Sequence, residues 1–164
     1  MPDKPEAARL TVIGEALVDL VPGASVGCYQ AKPGGSPFNV AIGLARLGHH
    51  TTLMARLADT AFGRLLREHA SAEGIDLGPA VHAAEPTTLA VVGLDSAAQA
   101  SYDFYLQGTA DWQWTDDERA CLPGLAEQGG ADVGIVADHY LAVAVQPRRR
   151  GEDALVSRGS PGRE

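Results

Sequence analysis

The segment Pro-Gly-Gly-Ser-Pro at residues 33–37 constrains the fold more than any other stretch of the sequence. Adjacent glycines allow positive φ angles and let a ligand approach the backbone closely. Pro37 suits the first turn of a helix, Gly48 suits the position just after its end, and apolar residues at helical spacing lie between them. The sequence therefore predicts a tight strand-to-helix turn and a helix over residues 38–47, whose first N–H groups can face a ligand.

Strand and helix patterns alternate on both sides of this turn. Short apolar runs predict buried strands, and a second helical pattern ends at Gly74. The predicted buried strands span residues 10–14 and 132–137, a further strand spans residues 51–57, a more polar strand or hairpin arm spans residues 24–32, and the second helix spans residues 61–72. This alternation predicts an α/β fold with a mostly parallel sheet.

Two consecutive β-rich runs interrupt the alternation. Residues 87–94 and 100–106 have strand character, and the residues between them predict a hairpin turn. Farther along, Thr115 is followed three residues later by Glu118, which is typical of a helix start because the two side chains can cap each other's backbone N–H groups. From residue 147 onward hydrophobic periodicity is nearly absent. We expect this tail, like the charged residues 1–9, to be disordered.

Composition narrows the classes of function. The 164-residue chain has 45% hydrophobic and 21% charged residues, which is ordinary for one globular domain. Its formal net charge of −8 argues against nucleic acid as a partner, since phosphate binding requires an excess of Lys and Arg. No apolar run is long enough to span a membrane. With two cysteines and no apolar signal-peptide region, the sequence predicts a reduced, cytoplasmic protein.

Four motifs occur in an order and spacing that together resemble the N-terminal half of PfkB, or ribokinase-type, carbohydrate kinases. The glycine turn is followed by Asn39 and by a helix that ends in Leu-Gly. The first strand leads to Asp19, and an Asp-x-x-Phe-Gly segment occupies residues 59–63. Asp-Phe-Tyr at residues 103–105 and Gly-Thr-Ala-Asp at residues 108–111 are similar to the lid of the fructokinase-like branch.

The resemblance covers about residues 10–133 and implies a ribokinase-like layered sheet with helices, carrying a β-rich lid over residues 79–111. It also implies which residues bind the sugar. A carboxylate accepts hydrogen bonds from neighbouring hydroxyls, an amide side chain donates and accepts, and backbone amides add donors without bulk. Aromatic side chains on a mobile hairpin cover the sugar and exclude water. The substrate-binding residues implied in this way are Asp19, Gly34, Gly35, Asn39, Phe104 and Tyr105.

The catalytic half of the family has no counterpart in the sequence. In these kinases a Gly-Ala-Gly-Asp segment supplies the general base and the anion hole, and no Gly-x-Gly-Asp occurs here. The resemblance implies ATP and Mg²⁺ as cofactors, but the residues that bind them are not found, and no catalytic residue or metal ligand is assigned. We therefore expect residues 10–146 to be the sugar-binding half of a kinase domain, truncated and inactive alone, with residues 147–164 a disordered or frame-shifted tail.

Departures from the family pattern leave the substrate and the role open. The family usually has Gly near Ala55 and Ala58, and many relatives carry Arg where this chain has Leu106, which argues against an anionic substrate. A hexose such as fructose is the predicted substrate, with a nucleoside as the alternative. The chain can also be a non-catalytic fragment that self-associates through the lid as a homodimer. A dinucleotide-binding domain is disfavoured, because Gly14 is the only glycine of the required Gly-x-Gly-x-x-Gly turn.

Overall fold

The computed structural model describes residues 9–94, 99–120, 133–138 and 141–145, of which the last two ranges are described as backbone strands. The described strands are β1 (Arg9–Gly14), β2 (Leu17–Pro22), β3 (Tyr29–Gly34), β4 (His50–Met54), β5 (Arg56–Ala58), β6 (Val81–Ala83), β7 (Leu89–Leu94), β8 (Ala100–Tyr105), β9 (Val133–Asp138) and β10 (Leu141–Val145). The described α-helices are α1 (Ser36–Arg46), α2 (Ala61–Ala72) and α3 (Asp116–Ala120), and Ala110–Trp112 form a 3₁₀ turn.

The strands form two larger sheets and one small pair. The central sheet has the order β10-β9-β1-β4, in which β1 runs parallel to both β4 and β9. The lid sheet has the order β3-β2-β7-β8, in which β2 and β7 are parallel and the two outer strands are antiparallel to their neighbours. The pair consists of β5 and β6. The predicted α/β architecture, with parallel strand pairs at its centre and a lid hairpin, is confirmed.

The core lies where the central sheet meets α1 and α2. Apolar side chains from six elements pack there, and those fully buried include Val12, Val18, Phe38, Leu53, Leu57 and Leu66. Burying one such side chain contributes about 1.5–3 kcal/mol. The helical spacing of the apolar residues in α1 and α2 therefore marks the buried faces of the two helices.

Helices α2 and α3 begin where the local sequence provides hydrogen-bond acceptors. Helix α2 has the predicted bounds, and the Thr60 hydroxyl accepts a hydrogen bond from the Gly63 amide at 3.3 Å. Before α3, the Thr115 hydroxyl accepts from the Glu118 amide at 3.2 Å, and the Glu118 carboxylate accepts from the Thr115 amide at 2.8 Å. This is the predicted reciprocal cap. Helix α1 begins at Ser36, slightly earlier than predicted.

Two predicted strands have different bounds in the structure. The predicted strand over residues 51–57 is divided at Ala55 between β4, which pairs with β1, and β5, which pairs with β6. All of these residues except the half-buried Thr52 are buried, so the burial pattern does not mark the bend. The predicted polar strand over residues 24–32 starts only at Tyr29, because the preceding residues form a turn closed by a 2.7 Å hydrogen bond from the Gly23 amide to the Cys28 carbonyl.

Some predictions concern residues that the structure does not describe. The predicted tail over residues 147–164, residues 1–8 and most of the predicted hairpin turn lie outside the described residues. Arg9, at the end of the N-terminal segment predicted to be disordered, is already part of β1. Within the described ranges, no helix is both long and apolar enough to cross a membrane.

Buried threonines hold the base of the lid. The side chain of Thr88, just before β7, is fully buried, and its hydroxyl lies 2.7 Å from that of Thr109. Thr109 donates its own proton to the Leu106 carbonyl at 2.7 Å, so Thr88 must be the donor in the first bond. The Ala110 amide also donates to the Pro86 carbonyl at 2.9 Å. The two ends of the hairpin are thus fixed to each other.

A buried arginine fixes the segment that follows the lid. The side chain of Arg56, in β5, is 6% exposed. Its guanidinium donates to the Ala110 carbonyl at 3.0 Å, to Glu85 at 2.8 Å and to Glu118 at 2.6 Å. Because a buried charge is tolerated only when paired and hydrogen-bonded, these three acceptors explain how the cation is accommodated. Arg56 connects β5, the 3₁₀ turn and α3.

Candidate functional site

An open cleft of about 640 Å³ lies between one face of the lid sheet and the beginning of α1. Polar side chains, a glycine turn and two aromatic rings line it, and apolar Leu17 and Val40 complete part of its wall. The polar and aromatic lining consists of Glu15, Asp19, Gly35, Ser36, Asn39, Tyr102 and Phe104.

Asp19 projects from the middle of β2 into this cleft and is half-buried. Burial raises the pKa of its carboxyl group above the ordinary value of 3.8. Gly34 lies beside it on β3, and a Cβ atom at Gly34 would be 2.2 Å from Oδ2 of Asp19. The absence of a side chain at Gly34 therefore makes room for the carboxylate.

The glycine turn and α1 supply the second side of the cleft. Gly35 has φ 104°, a left-handed conformation that favours glycine. Asn39 lies one turn into α1. Its backbone amide donates to the Gly35 carbonyl at 2.9 Å, and its exposed side chain lines the cleft. Two of the first backbone positions of the helix offer no free N–H group to a ligand. The Ser36 amide donates to Glu15 at 3.2 Å, and Pro37 has no N–H.

Aromatic side chains on β8 form the outer wall. The rings of Tyr102 and Phe104 stack with centroids 6.1 Å apart and an interplanar angle of 19°. Both side chains are about half exposed, at 55% and 51% respectively. Tyr105 is not among the residues that line the cleft, because successive side chains of a strand point to opposite faces of the sheet.

The structure brings together most of the residues that the sequence singled out. Asp19, Gly35, Asn39 and Phe104 line one cleft, and Gly34 abuts the carboxylate of Asp19. The structure places Tyr105 elsewhere, on the face of the lid turned away from the cleft.

Among the polar and aromatic residues of the lining, sequence reasoning missed three: Tyr102, Glu15 and Ser36. The two-residue period of a strand was a sufficient signal for the first, since it pairs Tyr102 rather than Tyr105 with Phe104. An acidic residue directly after an apolar strand was the available signal for Glu15.

The arrangement can bind hydroxyl groups but does not by itself supply a metal centre. Asp19 accepts hydrogen bonds, and Asn39 both donates and accepts them. The aromatic pair offers a flat apolar surface. In the part of the chain that the structure describes, no three His, Cys, Asp or Glu side chains are grouped so that they can hold a metal ion.

Comparison with protein families places these features in context. A family model described as pfkB family carbohydrate kinase matches residues 7–127. The chain belongs to the pfkB family of carbohydrate kinases. The cleft, the lid sheet and the glycine turn all lie within the matched residues, so the whole candidate site belongs to the pfkB region of the chain.

Individual relatives agree with this membership. A fructokinase from Klebsiella pneumoniae is 38% identical over 104 residues, which are 63% of this chain and 34% of that protein. A fructokinase from Rhizobium leguminosarum bv. trifolii is 36% identical over 155 residues, which are 92% of this chain and 44% of that protein. The chain thus spans less than half the length of these curated relatives.

Solved structures share the fold. A fructokinase from Xylella fastidiosa with bound ATP superimposes with a TM-score of 0.66 at 23% identity, covering 79% of this chain and 48% of that one. A PfkB protein from Polaromonas sp. JS666 superimposes with a TM-score of 0.60 at 29% identity, covering 68% of this chain and 40% of that one. The predicted ribokinase-like architecture is confirmed, and the match again covers about half of each longer chain or less.

Proposed function

We propose that this chain forms the sugar-binding side of a carbohydrate kinase and that its cleft takes a neutral hexose such as fructose. The observation that carries the proposal is the convergence of Asp19, Asn39 and Gly35 beneath the stacked rings of Tyr102 and Phe104. A carboxylate and an amide suit a row of hydroxyls, and the rings suit the apolar face of a sugar. Fructokinases among the relatives favour fructose within that class.

The charge of the cleft favours a neutral ligand. Glu15 and Asp19 contribute two carboxylates, and no Lys or Arg occurs among the described residues of the lining. Lys32, the cross-strand partner of Asp19, is exposed and outside the lining. A sugar acid or sugar phosphate would bring its charge close to carboxylates without a cation to bind it. We therefore infer that the cleft discriminates against anionic sugars.

Binding measurements on the purified chain test the proposal. Isothermal titration calorimetry with fructose, gluconate and adenosine is expected to show binding of fructose alone. Asp19→Ala removes the acceptor for paired hydroxyls and should abolish that binding. Asp103→Ala is the matched control, because Asp103 is an exposed residue of β8 that does not line the cleft. Stronger binding of adenosine, or an equal loss in both variants, would contradict the proposal.

The raised pKa of Asp19 predicts how binding depends on pH. Only the ionised carboxylate accepts hydrogen bonds at both oxygens, and burial raises its pKa above 3.8. Fructose affinity should therefore decline, as the solution is acidified, at a higher pH than an ordinary aspartate would cause. Titrations across the acidic range measure the decline, and Asp19→Asn should remove it. A wild-type affinity that stays constant down to pH 3.8 would contradict the assignment.

Phosphoryl transfer requires groups that the described cleft lacks. A fructokinase from Vibrio cholerae has been solved with fructose, ADP and calcium ion bound. We infer that nucleotide and Mg²⁺ contact residues outside this cleft, and that the 164-residue chain alone does not phosphorylate fructose. A coupled assay for ADP should detect no turnover above background. Turnover that disappears in Asp19→Ala would show that the chain is a complete catalyst.

The outer face of the lid supports self-association as a second candidate function. By strand register Tyr29 and Tyr105 share the face opposite the cleft, and they are 53% and 60% exposed. Exposed aromatic side chains are enriched at protein interfaces. We propose that this face pairs two copies of the chain. Sedimentation velocity should show a dimer that Tyr105→Ser weakens and Tyr102→Ser, on the cleft face, leaves intact. A monomeric wild-type chain would contradict the pairing.

A further inference from the structure

Glu15 is a buried acidic residue with a defined partner at the edge of the cleft. It lies between β1 and β2 and is 6% exposed. Its Oε1 atom accepts a hydrogen bond from the backbone amide of Ser36, the first residue of α1, at 3.2 Å. The partner is 21 residues away in sequence, so the contact fastens the start of α1 to the segment that connects the two sheets.

Helix α1 needs an acceptor from elsewhere in the chain. Its N-cap residue is Gly35, which has no side chain to accept a hydrogen bond, and no acidic residue lies in its first turn. The N-terminus of a helix carries unpaired N–H groups and partial positive charge, and both favour a nearby carboxylate. Glu15 supplies an acceptor and a negative charge from the neighbouring segment.

Close packing ties the same residue to the glycine turn. A Cβ atom at Gly35 would lie 3.0 Å from the Glu15 carbonyl oxygen and 3.3 Å from its Cγ atom. The turn therefore packs directly against Glu15, and the missing side chain of Gly35 leaves room for this contact. Asn39 follows one turn later and its amide bonds to the Gly35 carbonyl. Movement of the turn would carry Asn39 with it.

We propose that Glu15 is a positioning residue for sugar binding. It holds the glycine turn and the first turn of α1 at a fixed distance from β2, so that Asn39 and Asp19 face the same hydroxyl groups. Its action passes through the Ser36 amide rather than through the sugar. This inference rests on the proposed function, because it assigns Glu15 a role in the affinity of that same cleft.

Three substitutions separate positioning from a direct charge effect. Glu15→Ala removes the acceptor and should weaken fructose binding by roughly tenfold, since loss of an N-terminal cap and displacement of the turn act together. Glu15→Gln retains an oxygen acceptor and should restore affinity to within about threefold of wild type. Glu68→Ala, on the exposed face of α2, removes an acidic residue away from the cleft and should change nothing.

A readout without sugar accompanies the titrations. Hydrogen exchange of the Ser36 amide, followed by NMR, should accelerate in Glu15→Ala and stay slow in Glu15→Gln. If Glu15→Ala does not fold, Glu15→Asp withdraws the carboxylate by one methylene and should accelerate the same exchange and weaken binding. Unchanged fructose affinity in Glu15→Ala and Glu15→Asp would overturn the inference. An equal loss of affinity in Glu15→Gln and Glu15→Ala would also overturn it. Absence of sugar binding in the wild-type chain would instead overturn the proposed function.

Discussion

The central sheet and the lid sheet differ in where they place their apolar side chains. In β1 the residues after Arg9 are buried, and the neighbouring helices cover them. In β8 all six residues are exposed, including Tyr102, Phe104 and Tyr105. Both sheets nevertheless belong to one continuous chain with parallel strand pairs in each.

The difference teaches that the inner strand β1 contributes to stability and the edge strand β8 to ligand contact, since the lid sheet itself joins the core through Val18 of β2. Side chains buried in the central sheet contribute hydrophobic free energy to folding. Half-exposed aromatic rings of β8 contribute little to folding, so their apolar surface remains available for a ligand. The lid is held at its base instead, through Thr88, Thr109 and the acceptors around Arg56. Substitutions at four positions test this division.

The largest effect is expected at Phe38, which is fully buried in α1. Phe38→Ala removes its core contacts and leaves a cavity, which should lower the free energy of unfolding by about 3–5 kcal/mol. Phe104→Ala, on the exposed strand β8, should change it by less than about 0.5 kcal/mol. Urea denaturation followed by circular dichroism measures both. Equal losses would show that the lid is as much a part of the core as α1.

The ion pairs of Arg56 with Glu85 and Glu118 should make a smaller contribution to stability, and this contribution should be lost as the solution is acidified. Burial of the Glu118 carboxylate opposes its charge, but the Thr115 amide and the Arg56 guanidinium outweigh this and lower its pKa below 4.5. A hydrogen bond from its own amide and one from Arg56 likewise lower the pKa of Glu85 below 4.5. Since the folded pKa values are the lower ones, this stabilisation is complete above about pH 4.5 and lost as pH falls through the folded values.

Melting temperatures between neutral and acidic pH measure the contribution. As the pH drops below about 4.5, the melting temperature of the wild-type chain should decrease. The decrease should be shallower in Arg56→Met, because Glu85 and Glu118 then have no cation beside them. Arg64→Met, on the exposed side of α2, is the matched control and should retain the wild-type slope. A slope unaffected by Arg56→Met would show that the contact does not hold the lid base.

Sequence alone predicted the elements whose signals are local. The bounds of α2 and the reciprocal cap of Thr115 and Glu118 follow from helical periodicity and from neighbouring side chains. The bend at Ala55 was not predictable, because Met54 and Arg56 on either side are both buried, while the pairing partners that divide them lie far along the chain.

The candidate site followed the same rule. Asp19, Gly35 and Asn39 were recognised through motifs that surround them in sequence. Tyr102 was missed because the motif begins at Asp103, although strand alternation places Tyr102 on the same face as Phe104. The bond from Ser36 to Glu15 joins residues 21 positions apart, and no local pattern predicts such a contact.

An intermediate effect on binding is expected at Gly34. The missing side chain of Gly34 makes room for the Asp19 carboxylate. In Gly34→Ala the new Cβ atom would lie 2.2 Å from Oδ2 of Asp19, so the carboxylate must move away. Fructose affinity should fall by roughly tenfold, about 1.4 kcal/mol, with little change in melting temperature. Gly43→Ala, whose Cβ atom would meet nothing within 4 Å, should leave affinity intact. Unchanged binding in Gly34→Ala would break the link between the turn and Asp19.

The smallest effect is expected at the lid base. Thr88→Val keeps the shape of the side chain but removes the proton donated to Thr109 at 2.7 Å. The free energy of unfolding should fall by about 0.5–1.5 kcal/mol, the usual net value of one hydrogen bond. Hydrogen exchange in β7 and β8 should accelerate, whereas Thr52→Val in β4 should leave the lid unaffected. Equal protection of the lid in wild type and Thr88→Val would argue against this anchor.

The short connection between β1 and β2 has a consequence for how such a chain can vary in length. Glu15 and Ala16 alone join a strand of the central sheet to a strand of the lid sheet. Removing either would pull β2 back by about 3.4 Å and turn each following side chain to the opposite face. Asp19 would then point away from the cleft. Deletions and insertions at this point are therefore far more disruptive than substitutions, so a lineage can change the composition of this connection more readily than its length.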